Sequence, residues 1–116
     1  MTSGLKSAQA LSLWNHCMLD LVRLDQSGLT LRQLSILLTV YLELPPHTVR
    51  GLAERLQVAK PVISRALDTL GRQDLILRKR DPSDRRNVLV QRTVKGALFV
   101  ENLGDIMMTH AKGLIA

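Results

Sequence analysis

Between residues 5 and 26, "LKSAQALSLWNHCMLDLVRLDQ", the apolar side chains Leu11, Trp14, Met18, Leu21 and Val22 recur in steps of three and four, the spacing of one helix face. Gly28 predicts the end of that helix. "LTLRQLSILLTVYLEL" follows, with Thr30 placed to act as an N-cap; it is apolar on nearly every side, as expected of a helix enclosed by others. Pro45 and Pro46 stop it. A third helix starts near Thr48 and turns Leu52, Ala53 and Leu56 to one face. "VAKPVISRALDTLGRQ" comes next: Pro61 suits a first helical turn, where its missing N–H costs nothing, and Ile63, Leu67 and Leu70 form a buried stripe. Two short helices so closely joined make a helix-turn-helix.

The period then changes. "DLILRKR" and "NVLVQRT" read as two strands around Asp81-Pro82-Ser83-Asp84, where aspartate followed by proline favours a type I turn. From Val94 to Ala116 the pattern is helical again, with Val100, Leu103, Met107, Ala111 and Leu114 at heptad-like steps. Gly104 weakens this helix by roughly 1 kcal/mol relative to alanine. The fold class expected is mainly α with a small β-hairpin wing, a winged helix-turn-helix with flanking dimerisation helices. The 116 residues suffice for one core but not two, so residues 1–116 are expected to form a single domain. Within it, 5–27 is expected to be an N-terminal helix, 29–96 the winged core and 97–115 a C-terminal helix, the two flanking helices being those that the family resemblance given below implies for dimerisation.

Composition narrows the class. Apolar residues make up 46% and charged residues 22% of the chain, a globular balance and not a disordered one. The net charge of +6 and a pI near 10.3 point to a polyanionic partner, nucleic acid first and an anionic membrane surface second. The longest apolar stretch, Leu34 to Leu44, is interrupted by Ser35, Thr39 and Glu43 and falls short of the roughly 20 residues of a membrane span. "MTSGLKS" has no hydrophobic signal core, so a soluble cytoplasmic protein is expected. The single cysteine, Cys17, excludes an internal disulfide or a cysteine-based zinc site; it reads as a small core or interface side chain, with a redox-sensing thiol the other reading. His16, His47 and His110 lack ligand spacing, and neither metal nor cofactor is expected. There is no glycine-rich phosphate loop, no paired carboxylates in an apolar setting and no nucleophile, base and orienter set, so an enzyme is not expected.

The positive charge gathers in two places. With Ile63, Leu67 and Leu70 turned inward, the fourth helix displays Lys60, Pro61, Val62, Ser64, Arg65, Thr69 and Arg72. A helix fits the major groove, where Arg65 can hold a guanine bidentately, Ser64 can bond to several bases and Val62 can touch a thymine methyl; Lys60 and Arg72 suit phosphates. The hairpin tip carries Arg78, Arg80, Arg85 and Arg86, self-repelling as packing but suited to a phosphate backbone or a narrow minor groove. Asp84 reads as a brace, pairing with a nearby arginine across the turn so that another is held outward. The stripes Leu11, Trp14, Met18 and Leu21, and Val100, Leu103, Met107 and Leu114, read as a dimer interface, with closure of the core as the plainer alternative.

"LTLRQLSILLTVYL" and "TVRGLAERLQVAKPVISRALDTLGRQDLILRKRDPSDRRNVLVQRTVKG" resemble the winged helix-turn-helix core of the MarR family of bacterial transcriptional regulators over roughly residues 29–96. The wing signature, an aspartate, one residue, an arginine, then a short strand ending in threonine, is matched by Asp84, Arg86 and Thr93. The resemblance implies that Lys60 to Gln73 is the recognition helix, that Arg86 is the minor-groove arginine and that Asp84 steadies the wing. It departs from the family at three positions: Ala59 replaces a serine or threonine N-cap, Asp74 stands where glycine is usual, and Arg92 replaces leucine before Thr93. Members generally dimerise through the first helix and two long C-terminal helices, where one modest helix follows the wing here.

The function expected is therefore sequence-specific binding of double-stranded DNA by a homodimeric transcriptional regulator, repressing by default. Its operator would be an inverted repeat whose half-sites lie one helical turn, about 34 Å, apart. A winged-helix module that grips another protein is the alternative; its binding would respond much less to salt. By the resemblance, a small lipophilic effector would sit near Trp14, Met18 and Tyr41, where packing alone also explains apolar side chains, and no ligand residue is assigned.

Overall fold

A computed structural model of the chain describes residues 5–24 and 28–115. The elements run α1 (Ser7–Leu24), α2 (Leu31–Leu42), β1 (His47–Thr48), α3 (Val49–Leu56), α4 (Lys60–Arg72), β2 (Ile76–Arg80), β3 (Val88–Arg92) and α5 (Val94–Ile115). They fall into two compact units, Leu29–Val100 and the two terminal segments up to Gly28 and from Glu101. The expected close of the first helix at residues 25–27 lies outside the described residues, and Gly28 has the left-handed φ of +68°.

In the unit 29–100, the starts of α2 and α3 are fixed by local side-chain caps. The Thr30 hydroxyl accepts from the Gln33 N–H at 3.1 Å while the Gln33 side chain accepts from the Thr30 N–H at 2.8 Å, a reciprocal cap that satisfies two otherwise orphaned donors. Thr48 caps α3 through the Gly51 N–H at 2.9 Å. Ala59 heads α4 with no side-chain bond, as expected. The turn between α3 and α4 is made by Gln57 in the left-handed region, φ 59°, and the exit from α4 by Asp74, also at φ 59°.

The core of this unit draws one stripe from each of α2, α3 and α4. Ile36, Leu37 and Val40 of α2, Leu52 and Ala53 of α3, and Ile63, Ala66, Leu67 and Leu70 of α4 close around Leu75, Ile76 and Val90. Fully burying each large aliphatic side chain contributes about 1.5–3 kcal/mol. The expectation that α2 is enclosed on nearly every side is corrected: Leu31 and Leu42 at its two ends are each 72% exposed, lying off the buried stripe of Ile36, Leu37 and Val40.

The sheet has three strands in the order β1-β3-β2, all antiparallel. β2 and β3 pair from Ile76 with Arg92 to Arg80 with Val88. Pattern reading missed β1, two residues between the prolines and α3 that pair His47 with Val90 and Thr48 with Leu89; so short a strand carries no period. The tip is corrected as well. The hydrogen-bonded turn is Asp84 to Asn87, closed by the Asn87 N–H on the Asp84 carbonyl at 2.9 Å, not Asp81 to Asp84. Asp81 instead turns its carboxylate onto the Ser83 N–H at 2.9 Å and hydroxyl at 2.7 Å, a side-chain mimic of a turn. These bonds, from the Ser83 hydroxyl first and backbone N–H second, hold the Asp81 carboxyl below its ordinary range.

The terminal segments form the other unit. His110 bonds Asp20 at 2.6 Å, and its ring lies 5.4 Å from that of His16, so two histidines far apart in sequence meet. No group of three or more metal-binding side chains is found among the described residues. Cys17 is buried; desolvation first and the Asp20 carboxylate second push its thiol upward, which favours the protonated, unreactive form. No described helix is long and apolar enough to cross a membrane.

Candidate nucleic-acid interface

Helix α4 buries Ile63, Ala66, Leu67 and Leu70. At 100° per residue the row directly opposite is Pro61, Arg65, Asp68 and Arg72, all exposed. Lys60 is exposed at the first turn, and Val62, Ser64 and Thr69 flank the row, half-buried. The Arg65 guanidinium bonds back to the Pro61 carbonyl at 3.3 Å, and that of Arg72 to the Thr69 hydroxyl at 3.2 Å. Both are weak local tethers that keep the cationic heads on this face. Sequence reading passed over Asp68, although its spacing from Pro61 and Arg65 places it in the outermost row.

The hairpin arginines divide by what they touch. Arg86 donates to Asp84 through its backbone N–H and Nε, each at 3.1 Å, and through a longer 3.4 Å contact; its side chain is 86% exposed. The brace thus holds Arg86 itself, two residues on, and not an arginine across the turn. Arg80 reaches over the loop to the Arg85 carbonyl at 2.9 Å. The Arg85 side chain is exposed and has no hydrogen-bond partner among the described residues. Arg78 is drawn back to Asp68 of α4, 2.7 Å away.

Behind the hairpin one hub fixes its root. The Tyr41 hydroxyl donates to the Leu75 carbonyl at 2.7 Å and accepts from the Thr93 N–H at 2.9 Å. Thr93 in turn donates its hydroxyl to the Asp74 carbonyl at 2.7 Å and accepts from the Gly96 N–H at 2.9 Å, capping α5. A Cβ at Gly96 would overlap the Tyr41 hydroxyl and the Leu75 carbonyl, so only glycine fits. Arg92, beside this hub, bonds the Val40 and Glu43 carbonyls at 2.8 and 3.0 Å, satisfying acceptors that the end of α2 leaves open. Glu43 also grips Arg55 of α3 at 2.7 Å, and those hydrogen bonds lower its carboxyl from the ordinary value.

The residues expected at a dimer interface are of two kinds. Leu11, Trp14, Met18 and Met107 are exposed at 66%, 51%, 39% and 47%, large apolar surface for helices of this size. Leu21, Leu103 and Leu114 are half-buried. Val100 belongs instead to the unit Leu29–Val100 and, with Phe99, packs against its core.

Comparison with known proteins agrees with this architecture. The family model described as MarR family matches residues 29–88. A mutant of S. aureus MepR bound to an oligodeoxyribonucleotide superposes with a TM-score of 0.80 at 26% identity, over 91% of this chain and 75% of that one. The S. aureus MepR–DNA complex gives 0.76 at 26%, over 90% and 86%. The transcriptional regulator Tm0710 of Thermotoga maritima gives 0.75 at 24%, over 90% and 70%, and speaks to the fold alone. No curated protein matches. With its model spanning more than half of the sequence and solved relatives sharing its winged helix, the chain belongs to the MarR family of DNA-binding transcriptional regulators.

Proposed function

We propose that this protein represses transcription by binding an inverted-repeat operator in double-stranded DNA as a homodimer. Helix α4 enters the major groove, with Arg65 and Ser64 at base edges, Val62 against a thymine methyl, and Lys60, Pro61, Thr69 and Arg72 along the backbone. Arg86 enters the minor groove and Arg85 takes a phosphate, with Arg80 shaping the loop. The observation that carries this reading is the Asp84–Arg86 pair: an arginine 86% exposed yet held by its neighbour at the tip of a paired hairpin is ordered charge awaiting a polyanion. The cationic face of α4 and the DNA complexes of MepR support it.

The whole chain acts in this reading as one winged-helix domain. Residues 29–96 contact DNA, and the segments 5–27 and 97–115 form the dimer through the exposed Leu11, Trp14, Met18 and Met107. The protein works on the nucleoid in the cytoplasm. The dimer spaces two α4 helices about 34 Å apart.

Selection of bound sequences from random DNA, repeated with Arg65→Ala and Arg86→Ala, tests the roles. Arg65→Ala should cost about 1–3 kcal/mol and relax one base preference. Arg86→Ala should weaken sites flanked by A/T-rich DNA most. Affinity falling by orders of magnitude between low and moderate salt separates DNA binding from a protein-binding module.

A further inference from the structure

The face read above as docking on DNA carries a negative charge. Asp68 is the only acidic residue of α4, and it stands in the outermost row with Pro61, Arg65 and Arg72. Its side chain is 49% exposed. Left bare, that carboxylate would oppose every phosphate brought near α4. It is not bare: Arg78 of β2 donates to its Oδ1 at 2.7 Å.

An exposed pair of this kind contributes little to folding, roughly 0–1 kcal/mol in general, so stability alone gives it little purpose. Its effect grows when a duplex closes over it, because water is displaced and dense negative charge arrives. Arg78 is also 37% exposed, less open than Arg86, and its guanidinium is committed to the helix before DNA arrives.

We propose that Arg78 serves DNA binding through Asp68: it cancels the one negative charge on the recognition face and ties the middle of β2 to α4, and it does not itself contact phosphate. The inference rests on the proposed function, since it requires α4 to face DNA. Arg78 is thus a positioning residue, and the net charge α4 presents is set by a strand outside it.

Binding to a duplex selected with the wild-type chain tests this, measured by fluorescence anisotropy over a range of salt for Arg78→Gln, Arg78→Lys, Asp68→Asn, the double variant Asp68→Asn/Arg78→Gln, and Arg65→Ala as control. Arg78→Gln should weaken binding about tenfold, the screened repulsion of one uncovered charge. Arg78→Lys, which keeps the charge, should stay within about threefold of wild type, and Asp68→Asn should bind at least as tightly as wild type. In the Asp68→Asn background Arg78→Gln should have almost no further effect, on affinity or on salt slope. Thermal melts should differ little among the variants, since the pair is exposed.

An equal loss from Arg78→Gln in both backgrounds, with the salt slope reduced by about one, would show a direct phosphate contact and overturn the proposal. Absence of any loss in the wild-type background would overturn it too. If Arg65→Ala is also without effect, α4 does not face DNA and the proposed function falls with it; if only Arg65→Ala matters, this inference falls alone.

Discussion

The Tyr41 hydroxyl lies 2.9 Å from the Thr93 nitrogen and 2.7 Å from the Leu75 oxygen, so one side chain of α2 satisfies the backbone at both ends of the hairpin. Tyr41→Phe leaves an N–H and a carbonyl without that partner at a half-buried site, and should cost about 1–3 kcal/mol in urea unfolding. Gly96→Ala, which forces a methyl group into the same space, should cost more than Tyr41→Phe and disturb the wing as well as the melting temperature.

Arg92→Leu tests whether the departure from the family's usual leucine is a local solution. It removes two bonds to the carbonyls of Val40 and Glu43 and a cation 5.8 Å over the Tyr41 ring. Because Arg92 is largely exposed, the expected loss is about 1 kcal/mol by denaturant titration, with the core intact. An unchanged midpoint would mean that solvent replaces those bonds at no cost.

Two substitutions should stabilise the fold. Ala59→Ser supplies the cap that α4 lacks and should add about 1 kcal/mol. Gln57→Gly relieves a left-handed residue at the end of α3 and should add up to about 1 kcal/mol, less whatever the more flexible unfolded chain takes back. Differential scanning calorimetry on the single and double variants checks both; the sites lie in one turn, so additivity is itself informative.

The wing tip should respond to acid through Asp81. Its carboxyl is lowered by the Ser83 bonds, so the folded loop holds the ionised form better than an unfolded one does. The sign follows: the contribution is present above the ordinary aspartate range and is lost as pH falls through the lowered value. NMR titration should place the Asp81 transition below that of an unperturbed aspartate. In Ser83→Ala, which removes the larger of the causes, it should move back upward.

Much of this molecule is legible in its residue pattern because helices and strands announce themselves by period. The stripe Ile63, Leu67 and Leu70 and the Thr30 cap all depend on neighbours within a few residues, and the structure places them accordingly. The same holds for the left-handed Asp74, which stands where a glycine would be expected. The sequence by itself determined the winged helix, its basic surface and its family. Arg86, Arg65 and Arg72 find partners within four residues, whereas tertiary structure alone decided those of three other cations. Arg78 meets Asp68 ten residues away, Arg80 a carbonyl five residues on, and Arg92 the end of a helix some fifty residues back. Nothing in local spacing encodes those meetings, since a long flexible side chain finds its partner only once packing has brought the two backbones together.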